Sequence, residues 1–168
     1  MKKIKIQKLA FAGILVALGI VCAPFSIPVG ASKCAPIQHF INIIGAIYLG
    51  PTYSVSVAFL TSLLRNLMGT GTLLAFPGSM CGAFLSGILY KYFKKSYVAY
   101  AGELIGTSIL GGLLSYPIAA FIMNNSFAAV FGFVIPFFIS SLGGTILAIF
   151  LVTAMDKINV FNVLKKEM

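Results

Sequence analysis

Lys91-Tyr92-Phe93-Lys94-Lys95-Ser96 leads into Tyr97-Val98-Ala99-Tyr100-Ala101-Gly102-Glu103-Leu104-Ile105-Gly106-Thr107-Ser108-Ile109-Leu110-Gly111-Gly112-Leu113-Leu114-Ser115-Tyr116-Pro117-Ile118-Ala119-Ala120-Phe121-Ile122. The second stretch carries one charged residue, Glu103, and exceeds the roughly 20 apolar residues that a helix needs to cross a bilayer. Three lysines crowd its leading end and none follows until Lys157. That asymmetry marks the leading end as the inner one, because basic loops stay on the cytoplasmic side.

The rest of the chain agrees. Its 168 residues are 60% hydrophobic and only 9% charged, against roughly 25% charged in a soluble domain. Mean hydropathy is +1.04. So few charges cannot make a water-facing surface, and lipid is the expected solvent. The net charge of +9 would suggest nucleic acid in a soluble protein, but here the basic residues cluster between apolar runs, which is a topogenic pattern.

Apolar runs separated by turn signals predict spans at about 9–24, 37–49, 52–66, 77–92, 97–122 and 127–155. The expected fold is an all-α integral membrane protein with six transmembrane helices, one membrane domain over 1–168 and both termini cytoplasmic. Lys2, Lys3, Lys5, Lys8, Lys91, Lys94, Lys95, Lys157, Lys165 and Lys166 then lie inside, and only Lys33 and Arg65 outside. Removing one span would scramble this sorting, so the parity of the count is expected too. Met1 to Lys8 before an apolar run resembles a secretory leader. Five more hydrophobic segments follow, however, and Val21 is not the small residue that a lipoprotein site at Cys22 wants, so a retained first span is expected. Cys22, Cys34 and Cys81 have no CxxC spacing and their odd number makes no disulfide framework, so they read as packing residues.

Inside a bilayer, helices associate through close packing and hydrogen bonds rather than through the hydrophobic effect. Small residues recur four apart at Gly13/Ala17, Gly78/Gly82/Ser86, Ser79/Ala83/Gly87, Gly102/Gly106, Gly111/Ser115 and Ser140/Gly144/Ala148. Most of these are expected to pack the chain against itself and a minority to face another subunit.

Polar residues gather near the outer ends of the spans: Ser32, Lys33, Gln38, His39 and Asn42, then Arg65, Asn66, Thr70 and Thr72, then Asn124 and Asn125. Gln38 and Asn42, and His39 and Asn42, share a helix face by spacing. A polar face in a membrane helix should meet a cavity or a partner. A small-molecule site open to the outside is therefore expected around His39 and Asn42, with Lys33, Thr70 and Asn125 read as interfacial. Glu103, by count, falls in the inner third of its span, where pairing with Lys91 or Lys94, bonding to another helix, or proton coupling are all open. There is no GxxxxGK[ST], no HExxH, no paired carboxylates and no DxDxDG. The inventory suits binding better than catalysis, and no cofactor or metal is implied.

At Gly30-Ala31-Ser32-Lys33-Cys34-Ala35-Pro36-Ile37-Gln38-His39, Leu49-Gly50-Pro51, Arg65 to Thr72, Ala75-Phe76-Pro77-Gly78-Ser79 and Gly102-Glu103, the sequence resembles the ThiW group of substrate-binding (S) subunits of energy-coupling factor transporters. The resemblance implies an S-component-like bundle that captures hydroxyethylthiazole, the thiazole precursor of thiamine, from outside. Its partners would be a transmembrane coupling subunit and two ATPase subunits, besides membrane lipid. Such subunits dock through an Ala-x-x-x-Ala pair in the first helix. Gly13 and Ala17 stand at that spacing here, a departure that keeps both residues small.

On that reading the Phe25–Pro36 loop is a lid, and Gln38, His39 or Asn42 bond the ring nitrogen or hydroxyl. Arg65 and Asn66 shape the mouth or hold the charge of a phosphorylated ligand. Phe76 or Tyr116 stacks on the ring, and Glu103 belongs to the same polar set. Rival readings are an S subunit for another vitamin or a metal, a structural subunit, and a membrane enzyme using His39, Arg65 and Glu103. Lys2 stands where metal-binding members carry His. Against the enzyme, Glu103 counts to the opposite leaflet from His39.

Overall fold

The structure is a computed structural model describing residues 2–29 and 32–157. Lys165, Lys166 and Glu167 lie outside the described residues. Helix α1 spans Lys2–Val21, and a 3-10 turn at Ala23–Phe25 follows. Strands β1 (Ile27–Val29) and β2 (Ser32–Cys34) form an antiparallel hairpin with Pro28 opposite Lys33. Then come α2 (Pro36–Tyr48), α3 (Pro51–Leu67), α4 (Ala75–Phe93), α5 (Ser96–Ile122) and α6 (Val134–Lys157). Among the described residues the chain is all-α apart from this hairpin, and the six helices described fall on the six apolar runs.

Two of these helices, Ser96–Ile122 and Val134–Met155, are long and apolar enough to cross a membrane unaided. Helix α5 contains two wider π turns, Gly106–Gly111 and Ile118–Ile122. The second follows Pro117, which removes one amide donor from the ladder. Helix α6 starts at Val134, later than the apolar run from Phe127 predicts. The cause is local: Asn125 Oδ1 accepts from the Phe127 amide at 3.1 Å, and turns at Ala129 and Phe131 use the next amides.

Helix α2 is the axis of the bundle. Of the eleven residues that follow Ile37 in α2, all but Phe40 are buried, and the helix packs against each of the other five. Its 13 residues span only about 20 Å at 1.5 Å per residue, less than the roughly 30 Å hydrocarbon core. The β1–β2 hairpin lies at the N-terminal end of this short helix.

Around this axis the small residues do the packing. On the α4–α5 seam a Cβ at Gly106 would come within 2.6 Å of the Cys81 carbonyl oxygen and 2.9 Å of Gly82 Cα. At Gly102 it would come within 2.8 Å of Ser86 Cα, and at Gly111 within 2.6 Å of Gly78 Cα. The two backbones touch, as small residues allow in a membrane. Gly144 likewise brings α6 onto α2, where a Cβ would lie 2.6 Å from His39 Cβ. Gly13 differs: nothing lies within 4 Å of a Cβ placed there. It sits with Ala17 on an outward stripe of α1 that also carries Ile6, Leu9, Ile14, Leu18 and Val21.

Candidate ligand site

A polar junction forms where α2 meets α4 and α5. Asn42, fully buried, donates through Nδ2 to Glu103 Oε1 at 2.9 Å and to the Ser79 carbonyl at 3.1 Å. His39 Nδ1 meets the same Glu103 oxygen at 2.9 Å, and Thr107 Oγ1 donates to it at 3.1 Å. Gln38 donates to Ser79 Oγ at 2.9 Å and accepts from Arg65 Nη1 at 3.1 Å. Four helices are thus joined by one continuous set of bonds, and each bonded pair keeps a buried polar group satisfied. With Nδ1 engaged by Glu103, Nε2 is the histidine nitrogen left for a ligand.

Glu103 meets His39, which counting along the two spans does not bring together. It is fully buried, has no lysine partner among the described residues, and lies against His39. The reason is the short α2. Measured at 1.5 Å per residue, Glu103 lies about 10 Å from the Ser96 end of α5, while Asn42 and His39 lie about 9 and 14 Å from the Tyr48 end of α2. Counting α2 as a full-length span misplaces His39, because the helix has only 13 residues and the hairpin precedes it. The depth argument against a His39–Glu103 pairing therefore fails. Arg65 does not join the pair; its side-chain hydrogen bond goes to Gln38.

Above the junction lies a small cavity of about 30 Å³, room for one or two waters. Gln38, His39 and Ser79 form its floor, Arg65 and Lys33 one wall, and Leu74, Ala75, Gly78 and Phe137 another. The hairpin covers it and is pinned at its base. Cys34 Sγ donates to the Pro136 carbonyl at 3.3 Å, and the Ala35 amide to Ser140 Oγ at 2.8 Å. Arg65 is held at the end of α3 by a reversal in which the Thr70 and Gly71 amides both bond its carbonyl. Gly69 makes that reversal possible with φ of 71°.

The remaining named residues sit elsewhere. Asn66 braces the same loop by donating to the Ser62 and Thr72 carbonyls at 2.8 and 2.9 Å. Phe76 packs against Phe59 with ring centroids 5.7 Å apart, and neither it nor half-buried Tyr116 lines the cavity. The aromatic ring that does is Phe137. Sequence reasoning missed it because Phe137, Phe138 and Phe150 all lie in the apolar run of α6 and nothing in its pattern singles out one of them. Ser79 was visible as a small packing residue, but its role as acceptor for both Gln38 and Asn42 needed the helix pairing.

The structure is an apolar helical bundle, as expected of a membrane protein, with a buried polar junction beside a small cavity. The family model for the thiamine-precursor transporter protein (ThiW) matches residues 9–158, nearly the whole chain, and the chain belongs to that family. No curated protein matches it.

Proposed function

We propose that this chain is the substrate-capture subunit of an energy-coupling factor importer, binding hydroxyethylthiazole or a close relative in the Gln38–His39–Arg65 cavity. The observation that carries the reading is the hairpin-capped cavity resting on the His39–Asn42–Glu103 junction, in a chain of a thiamine-precursor transporter family. Its floor offers His39 Nε2 and the Gln38 amide to a ring nitrogen or hydroxyl, and Phe137 and Leu74 form an apolar wall for the ring. Asn42 and Glu103 act behind the floor, holding His39 in place. All six helices are taken to cross the cell membrane, with α2 completed by the hairpin and both ends inside. The basic residues sort in that sense, and the hairpin then opens outward.

His39→Ala is expected to weaken binding of the thiazole alcohol about 10- to 100-fold, the loss of one to two buried hydrogen bonds. Isothermal titration of the purified chain, with a thermal-unfolding control for folding, measures it. Unchanged affinity in a folded variant removes His39 from the site.

The partner subunits would supply the energy, since the sequence has no phosphate-binding loop of its own. The open stripe around Gly13 and Ala17 is the proposed contact for the coupling subunit, because small residues there let a partner helix approach closely. Gly13→Leu should leave ligand affinity within about twofold of wild type and reduce coupled uptake in reconstituted vesicles at least tenfold, a free-energy change of about 1.4 kcal/mol. Undiminished uptake would place the docking face elsewhere. A catalytic role for the His39–Glu103 pair is the weaker reading. The Glu103 oxygen that meets His39 is already shared with Asn42 and Thr107, and the carboxylate does not line the cavity.

A further inference from the structure

Arg65 is 3% exposed, and its guanidinium has no carboxylate partner among the described residues. Nη1 donates to a neutral amide oxygen of Gln38, and the buried Nε has no hydrogen-bond partner at all. Taking a guanidinium out of water is costly unless a counter-charge and hydrogen bonds replace the solvent. The position at the end of α3 recovers only a small part of that cost from the helix dipole. The structure thus buries a cation and leaves it short of a partner on the wall of the cavity. Lys33, on the hairpin, adds a second positive group to that wall, and His39 is the third basic side chain lining it. Glu103 does not line the cavity, and its Oε1 is already shared by three protein donors.

Resting on the thiazole-capture reading above, we propose that the cavity recognises an anionic form of its ligand, in which an oxyanion (a phosphate monoester or a carboxylate) sits between Arg65 and Lys33. The planar fork of Arg65 suits two oxygens of such a group, and the Leu74–Phe137 wall takes the heteroaromatic ring. The present volume is that of a carboxylate in place of one or two waters. Admitting the ring requires the hairpin to move outward about its anchors at Cys34 and Ala35. An uncharged alcohol would leave the Arg65 charge uncompensated and so bind more weakly.

The test is isothermal titration of the purified full chain with four probes at low salt: the thiazole alcohol, its phosphate ester, a thiazole carboxylate and inorganic phosphate. The ester or the carboxylate should bind at least tenfold tighter than the alcohol. Arg65→Gln should erase that preference. Lys33→Gln, on the exposed hairpin where folding is not at stake, should reduce the preference several-fold. An alcohol that binds as tightly as both anions overturns the proposal and leaves thiazole capture standing. So does a preference unchanged in both variants. If inorganic phosphate binds in an Arg65-dependent way and no thiazole does, the oxyanion site stands and the thiazole reading falls. No binding of any probe overturns both.

Discussion

Glu103→Ala is expected to destabilise the folded chain by about 2–5 kcal/mol. The lower figure takes three bonds to the carboxylate, two from α2 and one from Thr107 on the same helix, at roughly 0.6 kcal/mol each, the average for side-chain bonds between membrane helices. The upper figure adds the penalty of leaving the Asn42, His39 and Thr107 groups buried without a partner. Glu103→Gln is the informative companion. Its amide oxygen can take the same three contacts, and its amide nitrogen would stand where Oε2 now has no partner. A loss of no more than about 1.5 kcal/mol is expected for it, the net value of one ordinary hydrogen bond. Unfolding by denaturant or heat in detergent ranks the three proteins. If alanine and glutamine unfold together, the hydrogen bonds at Oε1 are not what makes the junction stable. If alanine unfolds with wild type, the junction is not a stabilising element at all.

Gly106→Leu should be as damaging by a different route. The clash is with backbone, not with a movable side-chain tip: the Cys81 carbonyl at 2.6 Å and Gly82 Cα at 2.9 Å from the new Cβ. Overpacking a core usually costs about 1–3 kcal/mol because neighbours give way. Here α4 and α5 must separate, which also draws Glu103 from Asn42 one turn away, so a loss at or above the top of that range is expected. Gly106→Ala, with one added carbon at the same contact, should fall between the leucine variant and wild type. Size-exclusion profiles and melting temperatures in detergent test this. A leucine variant that elutes as a single species and melts within about 2 °C of wild type, a difference of no more than about 1 kcal/mol for a chain of this size, would rule out the seam as a close backbone contact. Gly13→Leu, on the open face of α1, is the control that should melt like wild type.

Much of the architecture was legible in the residue pattern, for a simple reason. A bilayer forces every backbone amide and carbonyl into local pairing, so a long apolar run such as 97–122 has little choice but to be a helix. The break at Asn124–Ser126 and the lysines at 91, 94 and 95 bound it by composition alone. The helix face of Gln38, His39 and Asn42 was also legible, because i, i+3 and i+4 spacing fixes direction without knowing the neighbour. What stands opposite that face was not. Ser79, Glu103, Thr107 and Phe137 come from three other helices, and their relative heights depend on how deep α2 begins.

The charge pattern that opens at Lys91 and runs into the 97–122 stretch therefore determined by itself that this is an apolar helical protein for lipid, with an expected inner end to that helix. The side-chain junction was decided only by the tertiary structure. A two-stranded hairpin shortens α2, and glycine seams let α4, α5 and α6 come close. That places Glu103 beside His39 and buries Arg65 without a carboxylate. Local sequence sets which groups are polar; only packing sets which of them meet.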